Sequence, residues 1–314
     1  MKAAKVNSGI KFFFQQISIQ WELVLIALPF LIYITVFSYV PLWGLTMAFQ
    51  DFRPQVSFFQ QQWVGLKQFR DLFTDSDFIQ VIRNTMAMGV INLVFQFVSA
   101  ILFALLLNEL VGNKFRRVVQ TVSYMPHFLS WIIVTGLVAN MLSMDDGIIN
   151  ELLMKTGLIS EKIHFLGEPN YFWWIVGWSH VWKEMGWNTI IYLAAITAID
   201  PSLYEAASID GCSRFKKNLY ITLPGIKSTI IILLIMNIGW ILNVGFEVPY
   251  LLGSNGIVQD VAWTIDIFVV RRGFGRANGF SLGTAAGMFR TVISVTLITA
   301  CNWLSGRLGE EKLI

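Results

Sequence analysis

Apolar residues along this chain gather into six long runs separated by polar loops, a pattern of membrane-spanning helices rather than of a soluble core. The runs are Leu23–Phe49, Asn84–Leu107, Val122–Leu142, Phe172–Ile199, Ser228–Phe246 and Leu282–Leu304. Each reaches the roughly 20 residues that a helix needs to cross a bilayer. The expected fold is therefore an all-α integral membrane protein with six transmembrane helices. Lys2, Lys5 and Lys11 precede the first run, as they would in a signal peptide. That run is too long for a signal's apolar segment and no small-x-small cleavage site follows, so it reads as a retained span. Before it, Ile10, Phe13, Phe14, Ile17 and Trp21 recur at helical spacing with Lys11, Gln15, Gln16 and Gln20 between them. This fits either a helix lying on the membrane surface or an extension of the first span.

Composition agrees with this reading. Of 314 residues 55% are hydrophobic and 14% charged, and the mean hydropathy is +0.60, whereas soluble domains run near one quarter charged. A net charge of +3 gives no argument for nucleic-acid binding. Orientation follows from short basic loops. With the N-terminus inside, the cytoplasmic segments carry Lys114, Arg116 and Arg117, then Arg214, Lys216, Lys217 and Lys227, and finally Arg307 and Lys312. The outer loops hold Asp71, Asp75, Asp77, Asp145, Asp146, Glu151, Glu161 and Glu168, although Arg271, Arg272 and Arg276 point the other way. Both termini are expected in the cytoplasm.

Catalytic chemistry is missing from the pattern. No Gly-Lys dipeptide occurs, so there is no phosphate-cradling G-x-x-x-x-G-K-[ST] loop. His127, His164 and His180 are widely spaced, Cys212 and Cys301 form no C-x-x-C pair, and Asp145-Asp146-Gly147 reads as a turn. Neither an enzyme nor a metal site is expected, and energy for transport would have to enter through another protein.

One cytoplasmic loop is heavily punctuated. Pro201 can open a helix after the fourth run, Ser202 and Glu205 match the S-x-x-E capping box, and Gly211 permits the left-handed backbone that ends a helix. Phe215–Leu223 can then form a second helix before Pro224 opens the fifth span. Two short helices hinged at a glycine make a stiff knob.

The run Glu205-Ala206-Ala207, three residues, Gly211, nine residues, Ile221-Thr222-Leu223-Pro224 resembles the cytoplasmic motif of binding-protein-dependent ABC-importer permeases. Cys212 stands where alanine is commoner. Trp63-Val64-Gly65-Leu66-Lys67-Gln68-Phe69, Asn84-Thr85, Gln120–His127 and Tyr192-Leu193-Ala194-Ala195 extend the likeness to the maltose-type carbohydrate class and its oligosaccharide branch, from about Leu28 to Trp303. The resemblance implies a type I permease fold: a cytoplasmic segment 1–22, a first helix 23–49, a core 80–304 including the coupling loop 200–224, and a tail 305–314. It implies Tyr204, Glu205, Ala206, Ala207, Asp210, Gly211, Leu223 and Pro224 as the ATPase-coupling residues. The implied partners are a second permease subunit, with a heterodimer favoured over a homodimer, two ABC ATPase subunits that hold ATP and Mg, and an extracytoplasmic solute-binding protein that delivers an oligosaccharide. This chain itself would carry no cofactor and sit in the bacterial plasma (inner) membrane. A non-sugar ABC cargo and an ion-coupled secondary transporter are the alternatives.

Polar residues inside spans mark a candidate substrate pathway, because a charge at mid-bilayer costs about 2.5–3.5 kcal/mol on insertion scales unless it faces protein or water. The candidates are Asn92 and Gln96 in the second span, Trp182, Lys183, Trp187 and Asn188 in the fourth, Asn237, Trp240 and Asn243 in the fifth, and Arg290 in the sixth. His180, Glu184 and Asn188 form one stripe at four-residue spacing, and His180 and Glu184 read equally as partners that tie helices together. Lys183 and Arg290 would suit an acidic sugar unless Glu184 or Glu247 neutralises them. Trp173, Trp174 and Trp178 also fit an interfacial aromatic belt.

Overall fold

The structure, a computed structural model, describes residues 19–275, 279–307 and 309. The amphipathic pattern over Ile10–Ile17 and most of the tail lie outside the described residues.

Helix α1 (Trp21–Ile34) runs without a break into a wider π turn (Thr35–Tyr39) and a tighter 3-10 segment (Val40–Phe49). Pro41 explains the change of pitch: it has no N–H for the carbonyl four residues back, and its ring pushes that carbonyl away. Only Ala48 is buried in this first span, where the 3-10 segment meets the last helix. Two short antiparallel strands, β1 (Gln50–Asp51) and β2 (Gln62–Trp63), then clamp the loop, and the Gln61 amide bridges its backbone. Helix α2 (Lys67–Thr74) leads to α3 (Ser76–Glu109), capped by the Asp75 carboxylate on the Asp77 N–H at 2.9 Å.

Then come α4 (Asn113–Tyr124), α5 (Trp131–Met141), α6 (Ile148–Lys155), α7 (Pro169–Thr197), α8 (Pro201–Ile209), α9 (Arg214–Lys217), α10 (Leu223–Gly225), α11 (Lys227–Gly239), α12 (Glu247–Leu252), α13 (Gln259–Ala262), α14 (Ile265–Gly275) and α15 (Gly279–Arg307). Three helical stretches, Trp21–Phe49, Ser76–Glu109 and Gly279–Arg307, are long and apolar enough to span unaided. Counting each of three bent pairs as one span brings the number to six.

The α3 and α7 helices form the centre. Small residues let them approach, with Ala100 and Ala104 packed on Tyr192, Ile196 and Ile226, and the Thr189 hydroxyl bonded to the Ala100 carbonyl at 3.1 Å. Two further clusters lie nearer the N-terminal ends of these helices. One gathers Phe78, Val81, Ile265, Phe268, Ala285 and Ala286, the other Met88, Phe172, Val176, Val244 and Val248.

Two spans differ from the sequence reading. The third is not one helix over Val122–Leu142: α4, with its 3-10 extension Met125–Phe128, meets α5 at 102°. Pro126 and the Ser130 cap on the Ile133 N–H stop one helix and start the next. The fifth helix ends at Gly239 rather than Phe246, and Trp240–Phe246 is largely unwound, with Gly245 at φ +86°. Hydropathy cannot see this change, because the run stays apolar. The chain packs closely here: a Cβ at Gly239 would collide with Ile298, and one at Gly89 with the Ile241 carbonyl. Non-helical backbone at membrane depth is tolerated where protein or a water-filled cavity receives its polar groups. Gly89→Ala is accordingly expected to cost about 1–3 kcal/mol through overpacking against a rigid carbonyl. The measure is the Tm of the detergent-solubilised chain, and an unshifted Tm would contradict this packing.

Candidate functional site

The punctuated loop folds as a capped, two-helix knob. Its first helix, α8, turns 72° away from α7. The cap is Asp200 rather than Ser202: its carboxylate accepts the Ser202 N–H at 2.9 Å, and Pro201 occupies the first helical position. The Ser202–Glu205 capping box is thus displaced, because the helix starts one residue after Asp200 and leaves Ser202 inside its first turn. The Ser202 N–H and hydroxyl hold the Asp200 carboxyl below the usual carboxylate range, so the cap is complete near neutral pH and weakens as pH falls through that lowered value.

At the other end Gly211 adopts φ +72°. The Cys212 N–H reaches the Ala207 carbonyl at 2.9 Å and the Gly211 N–H reaches Ser208 at 3.2 Å, the paired bonds of a Schellman motif. The motif uses only the backbone N–H of Cys212. The second helix, capped by Ser213, runs from Arg214 through a π turn (Asn218–Thr222) to Gly225. It is longer than Phe215–Leu223, and Pro224 lies within its last turn instead of opening the fifth span, which begins after a 64° bend at Ile226. Lys217 reaches the Ser208 hydroxyl and the Tyr204 hydroxyl meets Thr222 at 3.0 Å, locking the two helices together. Glu205, Ala206, Asp210, Gly211 and Pro224 are exposed, and Ala207 and Leu223 half-buried. Ile209 is 86% and Phe215 75% exposed, an apolar tip that none of the described residues covers.

Among the pathway candidates, the structure brings three carboxamides together from three spans. Gln96, Asn188 and Asn237 line one small cavity of about 50 Å³ with Phe97, Tyr192 and Leu233. Such a space holds water but not a sugar ring. Asn92, one turn before Gln96, keeps its side-chain oxygen buried without a partner. Trp240 and Asn243 stand exposed on the unwound segment that follows α11. Trp187 stacks on the His127 ring, centroids 4.3 Å apart and planes 3° from parallel. Trp182 is not part of this group: with Trp174 and Trp178 it lines a groove of about 450 Å³ whose walls are almost wholly apolar.

The cations are also not free. Lys183 is buried, with its ammonium on the Glu184 carboxylate at 2.8 Å and the His127 carbonyl at 2.7 Å, above the Trp131 ring. The other Glu184 oxygen meets His127 Nδ1 at 2.6 Å. His180 packs on Trp131, so this stripe does tie α7 to the break between α4 and α5. Arg290 is paired with Asp266 of α14, not with Glu247. His127, Trp131 and Asp266 were missed as site residues from the sequence. The available signals were the Pro126-His127 step and an acid within the apolar run Ile265–Val270. Among the described residues no cluster of three metal-ligating side chains occurs.

Residues 96–309, which contain the knob and most of the cavity, match the family described as the binding-protein-dependent transport system inner membrane component. The chain belongs to this family. The permease is 45% identical over 294 residues to the polygalacturonan/rhamnogalacturonan transport system permease protein YteP of Bacillus subtilis, covering 94% of this chain and 90% of that one. It is 40% identical over 291 residues to protein LplB of the same organism, covering 93% and 90%. Among solved structures it is similar, at TM-score 0.85 and 38% identity, to a chain of a bacterial ABC transporter involved in import of the acidic polysaccharide alginate, covering 94% of this chain and 98% of that one. A second crystal structure, of the bacterial alginate ABC transporter with alginate pentasaccharide-bound periplasmic protein, gives a TM-score of 0.86 at 37% identity and covers 95% and 99%.

Proposed function

We propose that this permease carries acidic, polysaccharide-derived oligosaccharides across the inner membrane by alternating access, with ATP hydrolysed on separate subunits. The observation that carries the cargo is the near full-length likeness to a chain named for polygalacturonan/rhamnogalacturonan and to one from a transporter that imports the acidic polysaccharide alginate. A second permease completes the pathway, two ABC ATPases hold ATP and Mg, and an extracytoplasmic solute-binding protein delivers the sugar. The exposed tip of α8 docks on the ATPase, which places the knob and both termini in the cytoplasm. Closure of the ATPases moves the knob, and the amide-lined cavity opens as the spans pivot.

Gln96, Asn188 and Asn237 offer both donors and acceptors, as sugar hydroxyls require, while Trp240 and Trp187 offer ring faces for stacking. Lys183 and Arg290 are already neutralised within the chain, so the sugar is held through its hydroxyls rather than its carboxylates. Uptake of labelled oligogalacturonate by cells with and without this chain tests the assignment: uptake should be lost without it. Equal uptake in both would refute the cargo.

The paired state of Arg290 gives its own prediction. Arg290→Gln alone takes the partner from a largely covered Asp266 carboxylate and is expected to lower uptake of every sugar. Adding Asp266→Asn should restore most of it. A double variant that stays defective for acidic sugars only would place Arg290 on the substrate instead.

A further inference from the structure

We propose that Glu109, the last residue of α3, tethers the knob to the second span, so that one movement reaches both walls of the amide cavity. The chain joins the knob covalently to α7 and α11 only. Helix α3, which carries Asn92 and Gln96, has no such link. A side-chain relay supplies it. The Glu109 carboxylate accepts from Asn218 Nδ2 at 3.2 Å, with Arg214 Nε at 3.8 Å on its other oxygen. The Asn218 side-chain oxygen accepts the Thr222 hydroxyl at 3.2 Å, and buried Thr222 meets the Tyr204 hydroxyl at 3.0 Å. The relay thus runs from α8, through the π turn Asn218–Thr222, to the last residue of α3.

A carboxylate at a helix C-terminus opposes the helix dipole, so Glu109 owes its place to these partners and not to helix preference. The Arg214 side chain is largely exposed, and exposed ion pairs add little stability. Removing Glu109 should therefore alter transmission without unfolding the chain.

This inference rests on the knob being the ATPase contact, and the test separates the two. Single cysteines at Gln96 (α3) and Asn188 (α7) are introduced into the whole complex, with Cys212→Ala and Cys301→Ser removing the native thiols. Labelling by a water-soluble maleimide is then compared before and after trapping with Mg-ATP and vanadate. Both positions should change on trapping when Glu109 is present. With Glu109→Ala, the change at position 188 should persist while that at 96 shrinks about fivefold or more, within the range of ordinary coupling energies. Asn218→Ala, which cuts the relay from the other side, should do the same, and Glu109→Gln, which keeps an acceptor, should largely preserve the response. An undiminished change at 96 in Glu109→Ala, or an equal loss at both positions, overturns the tether. No change at either position with Glu109 intact overturns the knob–ATPase contact itself.

Discussion

Gly211→Val is expected to abolish import while leaving the chain inserted in the membrane. Gly211 sits at φ +72° with open space around the position of a Cβ, so the whole effect comes from the backbone. An L-residue there costs about 1–2 kcal/mol, and for a β-branched residue this region is a genuine outlier. The valine is expected to leave the left-handed region, which breaks the two Schellman bonds and re-aims everything after Asp210. The loss falls on the geometry of the knob, not on the core, because none of the residues in α8 is buried. Gly157, just after α6, provides the control. It has the same φ of +72° and the same empty surroundings, yet Gly157→Val should import at close to the normal rate. Uptake assays on both variants, normalised to membrane-inserted protein, decide the matter. Equal import by Gly211→Val would mean that the knob's shape carries no function.

Lys183→Met is expected to remove the folded chain from the membrane almost entirely. Its ammonium is buried and satisfies both Glu184 and the His127 carbonyl. Deleting one partner of a buried pair typically costs about 3–5 kcal/mol, a large share of the 5–15 kcal/mol that holds an ordinary domain together. Glu184 would then face the apolar surroundings of α7 with His127 alone. The double variant Lys183→Met/Glu184→Gln should recover much of the lost yield, since no charge is stranded. Yield and Tm of the solubilised chain by size-exclusion chromatography are the readouts. A single variant as stable as the double would contradict the ion-pair account.

What the sequence makes legible is chemistry that acts over a few residues. Pro201 at the first helical position and Gly211 at the helix end are decided locally, and the knob they bound was readable in advance. Even here, Asp200 won the cap from Ser202, because Asp200 stands directly before the proline that begins the helix. Span number was legible from length and hydropathy. Span shape was not, since Gly89 and Gly239 act through neighbours more than 50 residues away in the chain. The same holds for Arg290, whose partner Asp266 lies on another helix, and for Trp182, which faces an apolar groove instead of the amides. Polar residues in spans could be found by composition. Which of them face one another required the packing of α3 on α7.

Contact between the α8 tip and an ATPase can be read directly by cross-linking. Ile209, 86% exposed at that tip, is replaced by a photo-cross-linking residue in the native membrane, and the products are identified by mass spectrometry. One dominant cross-link to a nucleotide-binding subunit is expected, absent when Gly211→Val is added. Cross-links to lipid alone, or a subunit still captured at full yield by the Gly211→Val chain, would contradict it.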